Sequence, residues 1–163
     1  MKIGFRLGVL ALIATLAFGF THKSKTMVSF KCLVQLTNYT GEGAYVVVSL
    51  MDANGKYKKT LQVMGKEKRW YDDITSWFKF HSAQRESVDG ISGASITAGS
   101  RKVFSLSMDE AFYNKGFRLR FETAVEDNEY KEKDVEMDFS ETNVGKNVEG
   151  TKYIRYVKLI KNP

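Results

Sequence analysis

Cysteine, proline and histidine are almost missing from this chain of 163 residues, which has one, one and two of them. A single cysteine excludes an intramolecular disulfide in any compartment. Cys32 falls in period with Phe30, Val34 and Leu36, so it reads as a core thiol packing as a small hydrophobe. The lone proline is Pro163, and turns are marked instead by glycine, asparagine and aspartate. His22 and His81 are too few and too far apart for a metal centre, and no CxxC, HExxH or paired-cysteine spacing occurs. A hydrolase is poorly supported: Gly93-Ala94-Ser95-Ile96-Thr97 is not a nucleophile elbow, and only His81 is available as a base. No basic block exists either. The net charge is +6, two units of it from Lys2 and Arg6, and the other cations are mixed with acids, as in Lys131-Glu132-Lys133-Asp134. Nucleic-acid binding is not indicated.

What is present is ordinary for a globular protein: 43% hydrophobic, 27% charged and a generous 13% aromatic. The length predicts one domain with a core that needs no covalent staples. The N-terminus reads as an export leader over residues 1–22, cleaved in the mature protein. Lys2 and Arg6 precede the uncharged apolar run Leu7–Phe20, and Ala17-Phe18-Gly19 offers small residues for cleavage. That run is short for a membrane span, although an uncleaved signal anchor is the alternative. Lys31 immediately before Cys32 argues against lipoprotein processing. The expected location is the periplasm or the exterior.

From Met27 the apolar residues alternate with period two, the pattern of half-buried strands. Ala44–Met51 is a dense β-branched and aromatic run, and Asp52-Ala53-Asn54-Gly55 between it and Tyr57–Met64 predicts a hairpin. Further strands are expected around Phe104–Met108, Phe117–Glu122, Asp134–Phe139 and Tyr153–Ile160. The Phe117 and Asp134 strands read as apolar on one face only, and the last as more central. Ile74, Trp77 and Phe78 lie at i, i+3 and i+4 behind Asp72-Asp73, predicting a short helix packed on a sheet, its acids facing the helix dipole. His81 reads as a surface residue after it. Asp72-Asp73 and Glu126-Asp127 read as turn and helix-start residues. Seven short strands and one helix predict an all-β fold, an immunoglobulin-like β-sandwich over residues 27–163.

One stretch stands apart, Asp89-Gly90-Ile91-Ser92-Gly93-Ala94-Ser95-Ile96-Thr97. It is bare of bulky polar groups. Gly90 and Gly93 permit positive φ and close approach of another molecule, Ser92, Ser95 and Thr97 offer hydroxyls, and Asp89 is an acceptor or cation ligand. The order Asp-x-x-Ser-Gly-Ala-Ser-x-Thr resembles the flavinylation motif read by FAD:protein FMN transferases. By that resemblance Ser95 carries FMN through a phosphoester, with Asp89, Ser92, Gly93, Ala94 and Thr97 completing the motif. Serine stands where the motif usually has threonine, and it keeps the required hydroxyl. Trp70 or Trp77 is the expected partner for stacking on the flavin ring, if not simply part of the core.

The remainder of the chain resembles domain-of-unknown-function family 2271, predicted periplasmic proteins. The resemblance rests on Tyr45-Val46-Val47-Val48, the Asp52–Lys56 turn, Thr60-Leu61, Lys68-Arg69-Trp70, Trp77, the Asp89 loop and Gly116-Phe117-Arg118-Leu119. Two functions follow. One is an exported electron carrier with covalent FMN, served by an FMN transferase and a membrane redox partner. The other is an exported binding or structural module whose Ser95 loop is only a loop.

Overall fold

A computed structural model describes residues 26–85 and 87–163; the leader expected over residues 1–22, with His22, lies outside them. The strands are β1 (Met27–Leu36), β2 (Tyr45–Met51), β3 (Tyr57–Met64), β4 (Ser92–Gly93) and β5 (Arg101–Asp109). After them come β6 (Arg118–Ala124), β7 (Lys131–Asp138), β8 (Asn147–Glu149) and β9 (Ile154–Lys161). They form a four-stranded sheet in the order β5-β1-β9-β8 and a five-stranded sheet in the order β4-β3-β2-β6-β7. Among the described residues the one α-helix, α1 (Thr75–Gln84), follows a 3-10 turn over Lys68–Asp73. The expected all-β sandwich with one helix is the architecture.

Alternation dictates the main core. Phe30, Cys32, Val34 and Leu36 of β1 face Val46, Val48 and Leu50 of β2 and Leu119 and Phe121 of β6, all essentially without exposure. Burial raises the Cys32 thiol far above its ordinary pKa, so it packs as a hydrophobe. The β2–β3 hairpin forms at the predicted turn. Asp52 accepts from the backbone N–H of Asn54 and Lys56, both at 2.9 Å, and Gly55 takes φ +75°. Strand β9 lies between β1 and β8, the inner position expected of its apolar run.

A second apolar layer covers the opposite face of the five-stranded sheet. Val47 and Val63 point out of the sandwich and meet Tyr71, Ile74, Trp77 and Val88. This layer corrects several expectations. Asp72 and Asp73 sit in the 3-10 turn, so the first turn of α1 contains no acid. His81 is inside α1, stacked on Trp77 with ring centroids 4.8 Å apart, rather than loose on the surface.

Strands β6 and β7 are not one-sided either. Glu122 is wholly buried, accepting hydrogen bonds from the hydroxyls of Tyr57 (2.7 Å) and Tyr130. Arg120, 4% exposed, bonds Glu136 at 2.7 Å and Glu132 at 2.9 Å. Asp134 is also buried. Its two oxygens accept from the backbone N–H of Thr151, Lys152, Tyr153 and Ile154 and from the Thr123 hydroxyl, all within 2.7–2.9 Å. That carboxylate fixes the entry into β9.

Candidate functional site

The Asp89–Thr97 stretch is held at both ends by backbone bonds, which leaves its middle exposed. Ser92 and Gly93 pair parallel with Val63 and Met64 at the edge of the five-stranded sheet. The Gly65 N–H donates to the Gly93 carbonyl at 2.7 Å. Ile96 and Ala44 exchange bonds of 2.8 and 2.9 Å, and Ile96 itself is buried. Ala94 and Ser95 lie between these two attachments, exposed. A two-residue strand and an isolated bridge thus present one hydroxyl at a defined position.

Neither Gly90 nor Gly93 uses the positive φ that glycine permits. A methyl group added to either would meet no atom within 4 Å, so neither their conformation nor their immediate surroundings demand glycine. Gly43 behaves differently. A Cβ there would come within 2.7 Å of the Ser95 hydroxyl, so the absent side chain keeps that oxygen clear.

Ser95 lines a pocket of about 210 Å³ with Gly43, Tyr45, Arg69, Trp70 and Ala124. Its wall also carries Glu42, Glu67, Asp73 and Glu126. The loops before β2, before α1 and after β6 supply these acids, so the pocket forms where those three loops meet the Ser95 loop. The Tyr45 ring is seated over Gly65, where a Cβ would overlap it at 2.0 Å. The Arg69 guanidinium lies 5.1 Å from the centre of the half-buried Trp70 ring and bonds Glu67 at 2.6 Å. Four carboxylates therefore share the wall with a single guanidinium, and Glu67 is the one paired to it. Asp73 is raised above its ordinary pKa, first by burial and then by the charges of Asp72 and Asp127.

Of the residues singled out in the sequence, Ser95 and Trp70 meet in this pocket. Trp77 does not: it is wholly buried, its indole N–H donating to Thr60 Oγ1 at 2.9 Å, so it is core and has no face to offer a ligand. Asp89 pairs with Lys68 at 2.7 Å and accepts from the Ser87 hydroxyl at 3.1 Å. Lys68 holds its carboxyl below the usual range. Being exposed on both sides, this pair contributes little stability, but it joins the serine loop to the 3-10 turn that carries Arg69 and Trp70. The Ser92 hydroxyl donates to the Asp89 carbonyl at 3.4 Å. Thr97 is exposed beyond Ile96, and its carbonyl accepts from the Ser100 N–H.

Reading the chain locally misses Gly43, Glu42, Asp73 and Glu126 as pocket residues, because each sits in a turn whose composition looks merely solvated. Tyr45 and Arg69 do fall in the stretches that carry the family resemblance. Among the described residues there is no cluster of His, Cys, Asp and Glu suited to a metal ion, and no helix is long and apolar enough to cross a membrane.

No curated protein and no solved structure matches the chain. A family model described as "Predicted periplasmic protein (DUF2271)" matches residues 27–156. That span runs from the first residue of β1 into β9 and contains the whole pocket, and the chain belongs to this family.

Proposed function

We propose that the protein is an exported electron carrier with FMN attached to the Ser95 hydroxyl. One observation carries the reading: Ser95 is an exposed hydroxyl on a loop pinned at both ends, lining a pocket with Trp70 and kept clear by Gly43. A Cβ at Gly43 would crowd the Ser95 hydroxyl, and a half-exposed indole stands in the same wall. These features suit a flat ring tethered through a hydroxyl. The leader read in the sequence fits the periplasmic description of the family. A covalent tether also has a physical purpose outside the cell, where a dissociated flavin would be lost.

Attachment balances as a phosphoryl transfer from FAD. The Ser95 oxygen forms a bond to the phosphorus of the FMN half, the pyrophosphate bond breaks, and AMP leaves with the bonding electron pair. The hydroxyl proton passes to a base of the FAD:protein FMN transferase, the partner this reaction requires. Bound FMN supplies the electron-transfer chemistry. The chain positions it: Trp70 and Tyr45 offer aromatic surface, and Arg69 is the cation of the pocket. Electrons would pass to and from a membrane redox partner.

Three hydroxyls compete for the assignment, so the test separates them. After co-expression with an FMN transferase, in-gel flavin fluorescence should vanish in Ser95→Ala and persist in Ser92→Ala, Thr97→Ala and Ser95→Thr. Fluorescence that survives Ser95→Ala would overturn the assignment. A protein that never acquires flavin would be a binding module instead.

A further inference from the structure

Among the described residues the two sheets have four edges, and three of them are blunted. Strands β4 and β8 are two and three residues long. β7 pairs with β6 through a register shift and begins with Lys131, Glu132 and Lys133. Short strands, bulges and charges are the usual means of preventing edge-to-edge pairing. β5 has none of them along its middle. It runs nine residues, and its pairing with β1 from Met27↔Asp109 to Gln35↔Arg101 is unbroken.

The alternation of the ladder shows which groups face outward. Leu36 N–H donates to the Ser100 carbonyl, and Glu110 N–H donates to the Thr26 carbonyl. Even-numbered residues of β5 thus bond to β1, and the amides and carbonyls of Arg101, Val103, Ser105, Ser107 and Asp109 face the open edge. Their side chains lie on the solvent face of the sheet, and Val103 is 53% exposed.

Charge along this edge is divided by sign. Arg101 and Lys102 open the strand, while Asp109 and Glu110 close it. Arg101 is fixed on the solvent face by bonds to Gln35 (3.0 Å) and Tyr156 (3.2 Å), and Asp109 is fixed by accepting from the Ala111 N–H at 2.9 Å. An antiparallel copy of the same strand brings each basic end to an acidic end. A parallel one would bring like ends together.

We propose that β5 pairs antiparallel with β5 of a second copy about a two-fold axis at Ser105, joining the two four-stranded sheets into one. Ser105 then faces its own counterpart, Val103 faces Ser107 of the second copy, and Arg101 faces its Asp109. Every pair in this register uses outward-facing amides, so no bond to β1 is broken. The interface is isologous, which closes the assembly at a dimer.

The test is cysteine cross-linking of the exported protein, alongside light scattering across a concentration series. Facing residues in a hydrogen-bonded antiparallel pair have Cα atoms about 5.5 Å apart, inside the roughly 4.4–6.8 Å range of disulfides. Ser105→Cys should therefore form a linked dimer under mild oxidation, while Ser107→Cys, displaced from the axis, should not. Cys32 is buried and does not compete. Ser105→Lys sets two ammonium groups face to face and should weaken the dimer about fivefold or more, while its thermal melt matches the wild type at concentrations where both are monomeric. Wild-type protein that stays monomeric at every concentration would overturn the proposal. So would equal linking through both cysteines, or a dimer indifferent to Ser105→Lys.

Discussion

Asp134 carries more of the fold than any nearby residue signals. Its carboxylate accepts from four consecutive backbone amides and one hydroxyl. Each buried donor left without a partner costs about 1–3 kcal/mol. Asp134→Ala should therefore lower stability by about 4 kcal/mol or more, even if water re-satisfies some of the amides. Asp134→Asn keeps one acceptor oxygen and should lose roughly half as much. Urea unfolding at neutral pH measures both. In sequence this residue ends Lys131-Glu132-Lys133-Asp134, a string that looks solvated, and its partners lie far along the chain. The two tryptophans make the complementary point. Both are aromatic residues near a loop, and only tertiary packing makes Trp77 core and Trp70 pocket wall.

The larger elements follow from what the side chains dictate locally. Period-two alternation marks β1, β5, β6 and β7, because a strand in a sandwich must present an apolar face; denser apolar runs mark β2 and β9, and the Asn54-Gly55 turn marks the return strand β3. Strands β4 and β8 leave no such signal, since two or three residues cannot show a period. The helix is legible from Ile74 and Trp77. Its start is displaced because Lys68–Asp73 closes into a 3-10 turn ahead of it. The Ser95 loop is legible as small and hydroxylated, and only the fold reveals what stands beside it. Gly43 comes from a different turn, and its missing Cβ governs access to the hydroxyl. Gly43→Val should thus reduce flavin occupancy several-fold in the co-expression assay while stability changes by no more than about 1 kcal/mol. Normal occupancy with a well-folded Gly43→Val protein would remove this glycine from the account.

Across the whole molecule, the helical layer on the five-stranded sheet turns an alternating polar face into a buried one. Glu122 is the clearest case. Burial pushes its carboxyl up to about 7 from 4.5, against the opposing hydrogen bonds of Tyr130 and Tyr57 and the charge of Arg120. A group with a raised carboxyl pKa binds its proton more tightly in the folded state. Its contribution to stability is complete below about pH 4.5 and is lost as pH rises through about 7. The loss amounts to about 3 kcal/mol on the scale of 1.36 kcal/mol per pKa unit. Asp73, also raised by burial, acts in the same direction at lower pH. Glu136 is lowered despite its burial, held by hydrogen bonds from Arg120 and Arg118; its contribution weakens only as pH falls into the acid range. The urea midpoint should accordingly fall from pH 5 to pH 7.5, and Glu122→Gln should flatten that slope. A midpoint that rises over this interval would contradict the assignment.

The same layer and its loops create the pocket that gives Ser95 its neighbours, and the functional account rests on that hydroxyl. The most direct measurement is the intact mass of the exported protein after co-expression with an FAD:protein FMN transferase. The wild-type chain should gain the mass of one FMN unit and Ser95→Ala none. A wild-type chain that stays unmodified, beside a control substrate that the same transferase labels, would contradict this.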